Sequence, residues 1–234
     1  MTASGGFGGT MPEYAVATGF NDGRFITLAT SANIAGGGEG VVATVQSAAE
    51  LLLPDESSAA TSATVEDMIL ADVSNPPDGY VDLILSVRDA GSGSVVILLN
   101  NGVDGSGSWQ DFDSYGSAVV VSVCDEPSGL DAGDVDGDGL NDIVVACTDS
   151  GEVTLLMNSP TPLSGTPTFT STSAASAPHL PAADQSNAQP VDVWIGNLDG
   201  DSKPDIAVTN LFDGSVVAFK NEIPDLLSGA GGMG

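Results

Sequence analysis

Four aspartates stand close together near the middle of the chain, at Asp134, Asp136, Asp138 and Asp142. Counted from Asp134, they occupy positions 1, 3, 5 and 9 of a loop, and the backbone carbonyl of Leu140 falls at position 7. Alternate residues of a tight loop point inward, so the first three carboxylates converge and repel one another unless a cation lies between them. Because calcium accepts several oxygen ligands in irregular geometry, this spacing predicts a calcium-binding loop.

Two other interpretations of this loop compete with a calcium site of the kind described: an EF-hand and a solvated turn. An EF-hand needs a bidentate Glu at its last position and a helix after it, whereas Val145 stands there and β-branched residues surround it. A solvated Asp-Gly turn would bind no metal, and the spacing in a single loop leaves that interpretation open. Recurrence of the pattern elsewhere in the chain favours the metal-binding interpretation.

The same loop returns 63 residues downstream, which is a distance typical of a structural repeat. Asn197, Asp199, Asp201 and Asp205 take positions 1, 3, 5 and 9, and the carbonyl of Lys203 falls at position 7. The asparagine keeps an oxygen ligand and removes one negative charge. A second calcium site is therefore predicted here.

An upstream copy of the loop departs from the pattern. Asp72 and Asp82 take the first and last ligand positions, Ser74 replaces the second carboxylate, and two extra residues precede Asp78. The carbonyl of Tyr80 keeps the place of the backbone ligand. We expect this loop to be a third candidate calcium site. The opening of the chain is a fourth copy without the acidic residues, and no metal is predicted there.

Each copy continues into two short apolar runs joined by a glycine-containing turn. Examples are DIVVAC followed by EVTLLMN, and DIAVTN followed by SVVAFKN. Such runs, rich in Val, Ile and Leu and bounded by Asp-Gly and Ser-Gly, predict β-hairpins. Further strands fit GVVATVQS, GSAVVVSV and PTFTSTS between the copies. A repeat of this length with about four strands predicts an all-β protein built from propeller-type blades.

The repeats resemble the FG-GAP and VCBS repeats of the integrin-type β-propeller. GDVDGDGLNDIVVA and GNLDGDSKPDIAVT match the calcium loop and strand of that family, and VVILLNNGVDGSGSW matches its second strand and turn. The resemblance implies blades of four antiparallel strands, with a calcium ion between the first two strands of a blade. It also implies an extracellular role in binding or adhesion. We divide the single domain, 1–234, into four approximate repeats: 1–60, 61–123, 124–186 and 187–234.

The number of predicted blades does not decide how the chain completes its propeller. Propellers of this family close with about seven blades, and this chain holds about 3.5. The N-terminal copy lacks a clear first strand, and the C-terminal copy lacks a fourth. A small closed propeller, a fragment of a longer protein and a self-associating subunit all fit this pattern. In the last case, head-to-tail pairing of the two ends would build a ring or a filament.

Composition narrows the classes of partner and the location. The chain carries 32 Asp and Glu against 4 Lys and Arg, a net charge of −28. That balance argues against nucleic acid and anionic membrane surfaces, since both attract basic residues, and it favours cation binding. No apolar run approaches the roughly 20 residues of a spanning helix. No signal peptide is visible in MTASGGFGGT. The scarcity of Lys points to an extracellular or cell-surface protein.

Two cysteines, Cys124 and Cys147, allow two interpretations. In an oxidising compartment they would pair, and closing a loop of about 23 residues would stabilise the fold by roughly 3 kcal/mol. Alternatively, both are reduced and buried.

No motif in the sequence indicates catalysis, so no catalytic residue is predicted. The one histidine, His179, lies in a Pro- and Ala-rich segment, and nucleophile-elbow and phosphate-loop motifs are lacking. The first functional hypothesis is a calcium-rigidified extracellular scaffold that binds a protein or glycan partner or mediates adhesion. The second is a structural subunit that assembles with copies of itself.

Overall fold

The computed structural model describes residues 2–5, 13–18, 25–32, 42–50, 64–89, 92–102, 104–105, 112–113, 117–160, 166–172 and 188–221. Within these ranges, fifteen strands form four antiparallel sheets. His179 lies outside the described residues. Among those described, no helix is long and apolar enough to cross a membrane.

The first sheet has four strands in the order β1-β2-β3-β4. They are β1 (Thr2–Gly5), β2 (Glu13–Thr18), β3 (Phe25–Ala32) and β4 (Val42–Glu50). The expectation that the N-terminal copy lacks a first strand is therefore wrong, since β1 pairs along β2 with Ala3 opposite Ala15. The sequence TASG gives no apolar signal, whereas strand pairing is made by backbone groups and does not need one.

The second sheet also has four strands in chain order. They are β5 (Thr64–Ala71), β6 (Asp82–Asp89), β7 (Ser92–Leu98) and β8 (Val119–Val123). Strands β6 and β7 are the buried centre of the sheet, where Ile84 pairs with Ile97 and both side chains are fully buried. The outer strand β8 alternates between half-buried and exposed residues, as expected for a strand with one face in solvent.

The third sheet is β9 (Pro127–Gly133), β10 (Asp142–Cys147), β11 (Glu152–Asn158) and β12 (Phe169–Thr172), and again neighbours in sequence are neighbours in space. Every residue of β10 is buried. Its alternate side chains pack on two sides: Ile143 belongs to a core shared with the second sheet, and Val144 to a core shared with the fourth. The third sheet is therefore sandwiched between its neighbours, which explains the unbroken apolar run of β10.

The fourth sheet has three strands among the described residues: β13 (Pro190–Gly196), β14 (Asp205–Asn210) and β15 (Val216–Phe219). Its first strand packs against β9 of the third sheet. At Gly129 the two backbones are so close that an added Cβ would lie 2.6 Å from Cα of Asp192. The all-β class and the antiparallel four-stranded sheets of the prediction are confirmed.

A disulfide joins the second and third sheets. Cys124 follows β8 and Cys147 ends β10, and their Cα atoms are 5.9 Å apart. Of the two interpretations left open by the sequence, the structure contains the bonded pair. By the size of the closed loop, the bond contributes about 3 kcal/mol.

Candidate metal centre

The loop from Asp134 connects β9 to β10, the first two strands of the third sheet. The Asp134 carboxylate folds the loop around itself, because Oδ1 accepts from Gly137 N at 2.8 Å and Oδ2 from Gly139 N at 3.0 Å. Both glycines have positive φ, 80° and 91°, which explains why the sequence alternates Asp with Gly at this point. The result is a tight loop closed by its own first ligand candidate.

The next two aspartates cap the backbone two residues further on. Asp136 Oδ1 accepts from Asp138 N at 3.1 Å, and Asp138 Oδ1 accepts from Leu140 N at 2.9 Å. The Leu140 side chain is buried and anchors the end of the loop. These repeated short-range hydrogen bonds turn successive carboxylates to the same side.

Three carboxylates converge as a consequence. One oxygen from each of Asp134, Asp136 and Asp138 lies within 4.8 Å of the others. Partial burial raises the pKa of Asp136, and the neighbouring charges of Asp138 and Asp134 raise it further. An oxygen-only cluster of like charges suits a hard divalent cation, and binding one would remove the repulsion.

Asp142, the fourth predicted ligand, is not part of this group. It is 1% exposed, and both of its oxygens hold backbone groups: Val135 N donates to Oδ2 at 2.9 Å and Asn158 N donates to Oδ1 at 2.8 Å. Burial raises the pKa of Asp142 to about 6. Its carboxylate therefore connects the loop to the end of β11.

The same buried connection occurs in all three described loops. In each, one carboxylate accepts from the second residue of its loop and from an asparagine at the end of the third strand. The residues are Asp82 with Val73 and Asn100, Asp142 with Val135 and Asn158, and Asp205 with Leu198 and Asn221. The alignment of the loops by spacing thus corresponds to an equivalence in three dimensions.

The upstream loop keeps part of the geometry despite its insertion. Asp72 Oδ2 accepts from Gly79 N at 2.8 Å and Asp78 Oδ1 from Tyr80 N at 2.9 Å, as Asp134 and Asp138 do in the third sheet. Ser74 is buried, and its hydroxyl lies 3.5 Å from Asp82 Oδ2. Among the described residues, this loop does not assemble three carboxylates.

The downstream loop repeats the caps closely. Asn197 Oδ1 accepts from Gly200 N at 2.6 Å, and Asp199 Oδ1 accepts from Asp201 N at 3.0 Å. Asp201 Oδ1 in turn accepts from Lys203 N at 2.9 Å. One feature is new: the ammonium of Lys220 lies 2.6 Å from Asp199 Oδ2.

The two complete loops and the strands between them correspond to a known repeat. The family model described as FG-GAP-like repeat matches residues 134–208, from the first aspartate of the third-sheet loop into β14. The chain contains an FG-GAP-like repeat. A search of curated proteins gave no significant match. The suspected family is thus confirmed over the segment that carries Asp134 and Asp199.

Asparagine side chains connect the FG-GAP-like repeat to the sheet before it. Asn158 Nδ2 donates to the Val73 carbonyl at 3.0 Å, and Asn141 Nδ2 donates to the Asp72 carbonyl at 2.8 Å. Asn221 Nδ2 makes the corresponding bond to the Val135 carbonyl at 2.7 Å. The upstream loop and the third-sheet loop are therefore each braced by the next sheet along the chain.

These asparagines were missed by the sequence interpretation. For Asn158 and Asn221 a signal existed, since an Asn ends the second apolar run of three copies, in LLN, LMN and AFKN. Calcium-ligand spacing relates only residues within one loop, so it gives no indication of residues beyond the following strand. In the FG-GAP-like repeat, the loop and the strand end form one hydrogen-bonded unit.

Proposed function

We propose that the protein is a calcium-binding scaffold outside the cell or on its surface, in which calcium rigidifies propeller-type blades for binding a protein or glycan partner. The observation that carries the proposal is the convergence of Asp134, Asp136 and Asp138 at the start of an FG-GAP-like repeat. We propose no catalytic role, and the carboxylates act as metal ligands.

Calcium would act by holding the loop that connects β9 to β10 in one conformation. Asp134, Asp136 and Asp138 would supply carboxylate oxygens, and the Leu140 carbonyl and Asp142 would complete the set below them. The loop is hydrogen-bonded to Asn158 at the end of β11 through Asp142, and to the Asp72 carbonyl after β5 through Asn141. A metal in this loop would therefore stiffen the junction between the second and third sheets. A stiff junction presents the surrounding surface to a partner at a lower entropic cost.

The other two loops are proposed as sites of lower ligand quality. Downstream, Asn197, Asp199, Asp201, Asp205 and the Lys203 carbonyl would take part. Upstream, the equivalent set is Asp72, Ser74, Asp78, Asp82 and the Tyr80 carbonyl. Extracellular placement is supported by the usual setting of FG-GAP repeats and by the disulfide, since such bonds persist in oxidising compartments.

Thermal unfolding in calcium and in chelator tests the proposal. At millimolar calcium, a site with a Kd of about 0.1 mM would stabilise the chain by roughly 1.4 kcal/mol. We expect the melting temperature to fall in chelator, and the Asp136→Ala variant to show a smaller difference. Asp149→Ala is the matched control, because Asp149 is exposed and lies in the turn between β10 and β11. A melting temperature that is the same in both buffers would overturn the calcium scaffold.

A second function is favoured by the outer edge of the fourth sheet. Strand β15 pairs with β14 on one side, and no further strand follows it among the described residues. Its residues alternate between exposed and half-buried, with Val216 68% exposed. An open edge of this kind pairs readily with another chain. The alternative proposal is therefore a structural subunit that self-assembles through β15 into a filament or ring.

A further inference from the structure

Lys220 places a positive charge on the downstream loop. Its Nζ lies 2.6 Å from Asp199 Oδ2, and the two side chains are 54% and 31% exposed. Asp199 is the equivalent of Asp136, one of the three converging carboxylates of the third-sheet loop. The Lys220 ammonium is thus paired with Asp199, a candidate calcium ligand.

The position of Lys220 in its repeat is defined by hydrogen bonding. It directly precedes Asn221, whose N–H donates to Asp205, just as Asn158 donates to Asp142 and Asn100 donates to Asp82. The residues that precede the other two asparagines are Met157 and Leu99. Of the three described loops, the downstream one alone has a cationic side chain at this strand position.

Charge differs between the loops accordingly. The third-sheet loop brings together three carboxylates. The downstream loop has a neutral amide, Asn197, at the first position, keeps Asp199 and Asp201, and adds the positive charge of Lys220. Affinity for calcium in oxygen-lined loops follows the number of charged ligands. A divalent cation at the downstream loop must also displace or tolerate the ammonium, since like charges at this distance repel.

We propose that Lys220 is a built-in counter-ion that weakens divalent-cation binding at the downstream loop, so that the third-sheet loop loads with calcium first. The inference rests on the proposed calcium-binding function. Without calcium, the ammonium neutralises Asp199 and holds the downstream loop in shape. With rising calcium, the two loops respond in separate concentration ranges, about tenfold apart.

Calorimetric titration with calcium tests this in a chain whose third-sheet loop is disabled. In the Asp136→Ala background the third-sheet loop is disabled, so a change in calcium affinity caused by Lys220→Met reports the downstream loop. Met is the residue that the chain itself carries at the equivalent position, Met157. We expect Lys220→Met to tighten calcium binding about tenfold, and Lys220→Arg, which keeps the charge, to bind as Lys220 does. Lys220→Gln is a second neutral variant.

The reciprocal substitution supplies an independent measurement. Met157→Lys in the otherwise natural chain should weaken calcium binding at the third-sheet loop by a similar factor. The role of Lys220 would be overturned if, in the Asp136→Ala background, Lys220→Met and Lys220→Gln bound calcium with the same affinity as the parent. Calcium binding at the third-sheet loop of the natural chain would then leave the calcium function standing. If calcium binds to none of these chains, both the function and this inference fail.

Discussion

Burial separates the aspartates of each loop into two kinds. Asp134 and Asp136 are half-buried and turn their oxygens toward a common point, whereas Asp142 is 1% exposed and accepts two backbone hydrogen bonds. In the proposed site, the first kind would supply most of the affinity for a cation. The second kind anchors the loop to buried backbone N–H groups. These hydrogen bonds are required because a buried carboxylate without donors would be costly in free energy. At the residue scale, the loop therefore depends on its buried carboxylate as well as on its candidate ligands.

Asn158→Ala tests the bracing of the neighbouring loops, since it removes the side-chain amide and keeps the backbone N–H that donates to Asp142. Asn158 is 2% exposed, and its side-chain amide donates to the carbonyls of Val73 and Asn141. Removing it leaves two buried carbonyls without this donor, so we expect the free energy of unfolding to fall by about 1–3 kcal/mol in urea denaturation. Asn101→Ala is the control: Asn101 is exposed, and its loss should change stability by less than about 0.5 kcal/mol. Equal effects of the two substitutions would contradict the proposed bracing.

At the element scale, the first strands of successive sheets are joined by carboxylates. Asp67 on β5 accepts from Leu130 N on β9 at 3.2 Å, and Asp131 on β9 accepts from Ile195 N on β13 at 2.7 Å. Burial raises the pKa of both groups, and the charge of Asp192 raises it further. These strands pack closely, so their acidic groups are held where ionisation is disfavoured. The stability of the contact between neighbouring sheets should therefore vary with the protonation of Asp67 and Asp131.

The sign of this pH dependence is fixed by the direction of the shifts. Because the folded pKa of Asp67 lies above the ordinary value of 3.8, folding favours its protonated form. In chelator, this group should add stability as the pH falls through its folded pKa toward 3.8, and that gain should be absent at neutral pH. The Asp67→Asn variant should therefore gain less on acidification in thermal melts. Asp149→Asn, at an exposed site, should follow the natural chain. An identical pH profile for Asp67→Asn would contradict the assignment.

At the scale of the whole molecule, the net charge of −28 opposes association of copies, whereas the edge strand β15, which no further strand follows among the described residues, favours it. Copies of the chain repel one another unless cations neutralise the acidic loops, whereas β15 offers backbone groups for pairing. Calcium would then favour both a rigid fold and association. The same ion thus connects the proposed scaffold and its alternative.

Particle mass by light scattering separates these two functions. Assembly through β15 predicts particles heavier than the 23.3 kDa chain in millimolar calcium, and their dissociation in chelator. Ala218→Lys places a charge on an exposed position of β15 and should return the mass to that of one chain. A single-chain mass in calcium at high protein concentration would exclude the structural subunit and leave the binding scaffold.

Some parts of the site were predictable because they depend on local spacing. Asp134, Asp136 and Asp138 lie within one turn of chain, so alternation and glycine were enough to predict that they converge. Strands β10 and β14 were visible as apolar runs for the same reason. Strand β1 was missed because TASG carries no apolar pattern, and Lys220 was missed because it lies beyond the following hairpin from Asp199. Contacts between distant segments leave no periodic signal.

The sequence by itself determined the repeat, the all-β class, the alternation of the acidic loops and the charge that favours a cation, because each depends on residues near one another in the chain. Tertiary structure alone decided that Asp142 is a buried connector, that Asn158 braces a neighbouring sheet, and that an ammonium reaches the downstream loop. It also decided that Cys124 and Cys147 are bonded. The physical reason is that burial and pairing depend on how sheets stack, and stacking brings together groups that no local spacing relates.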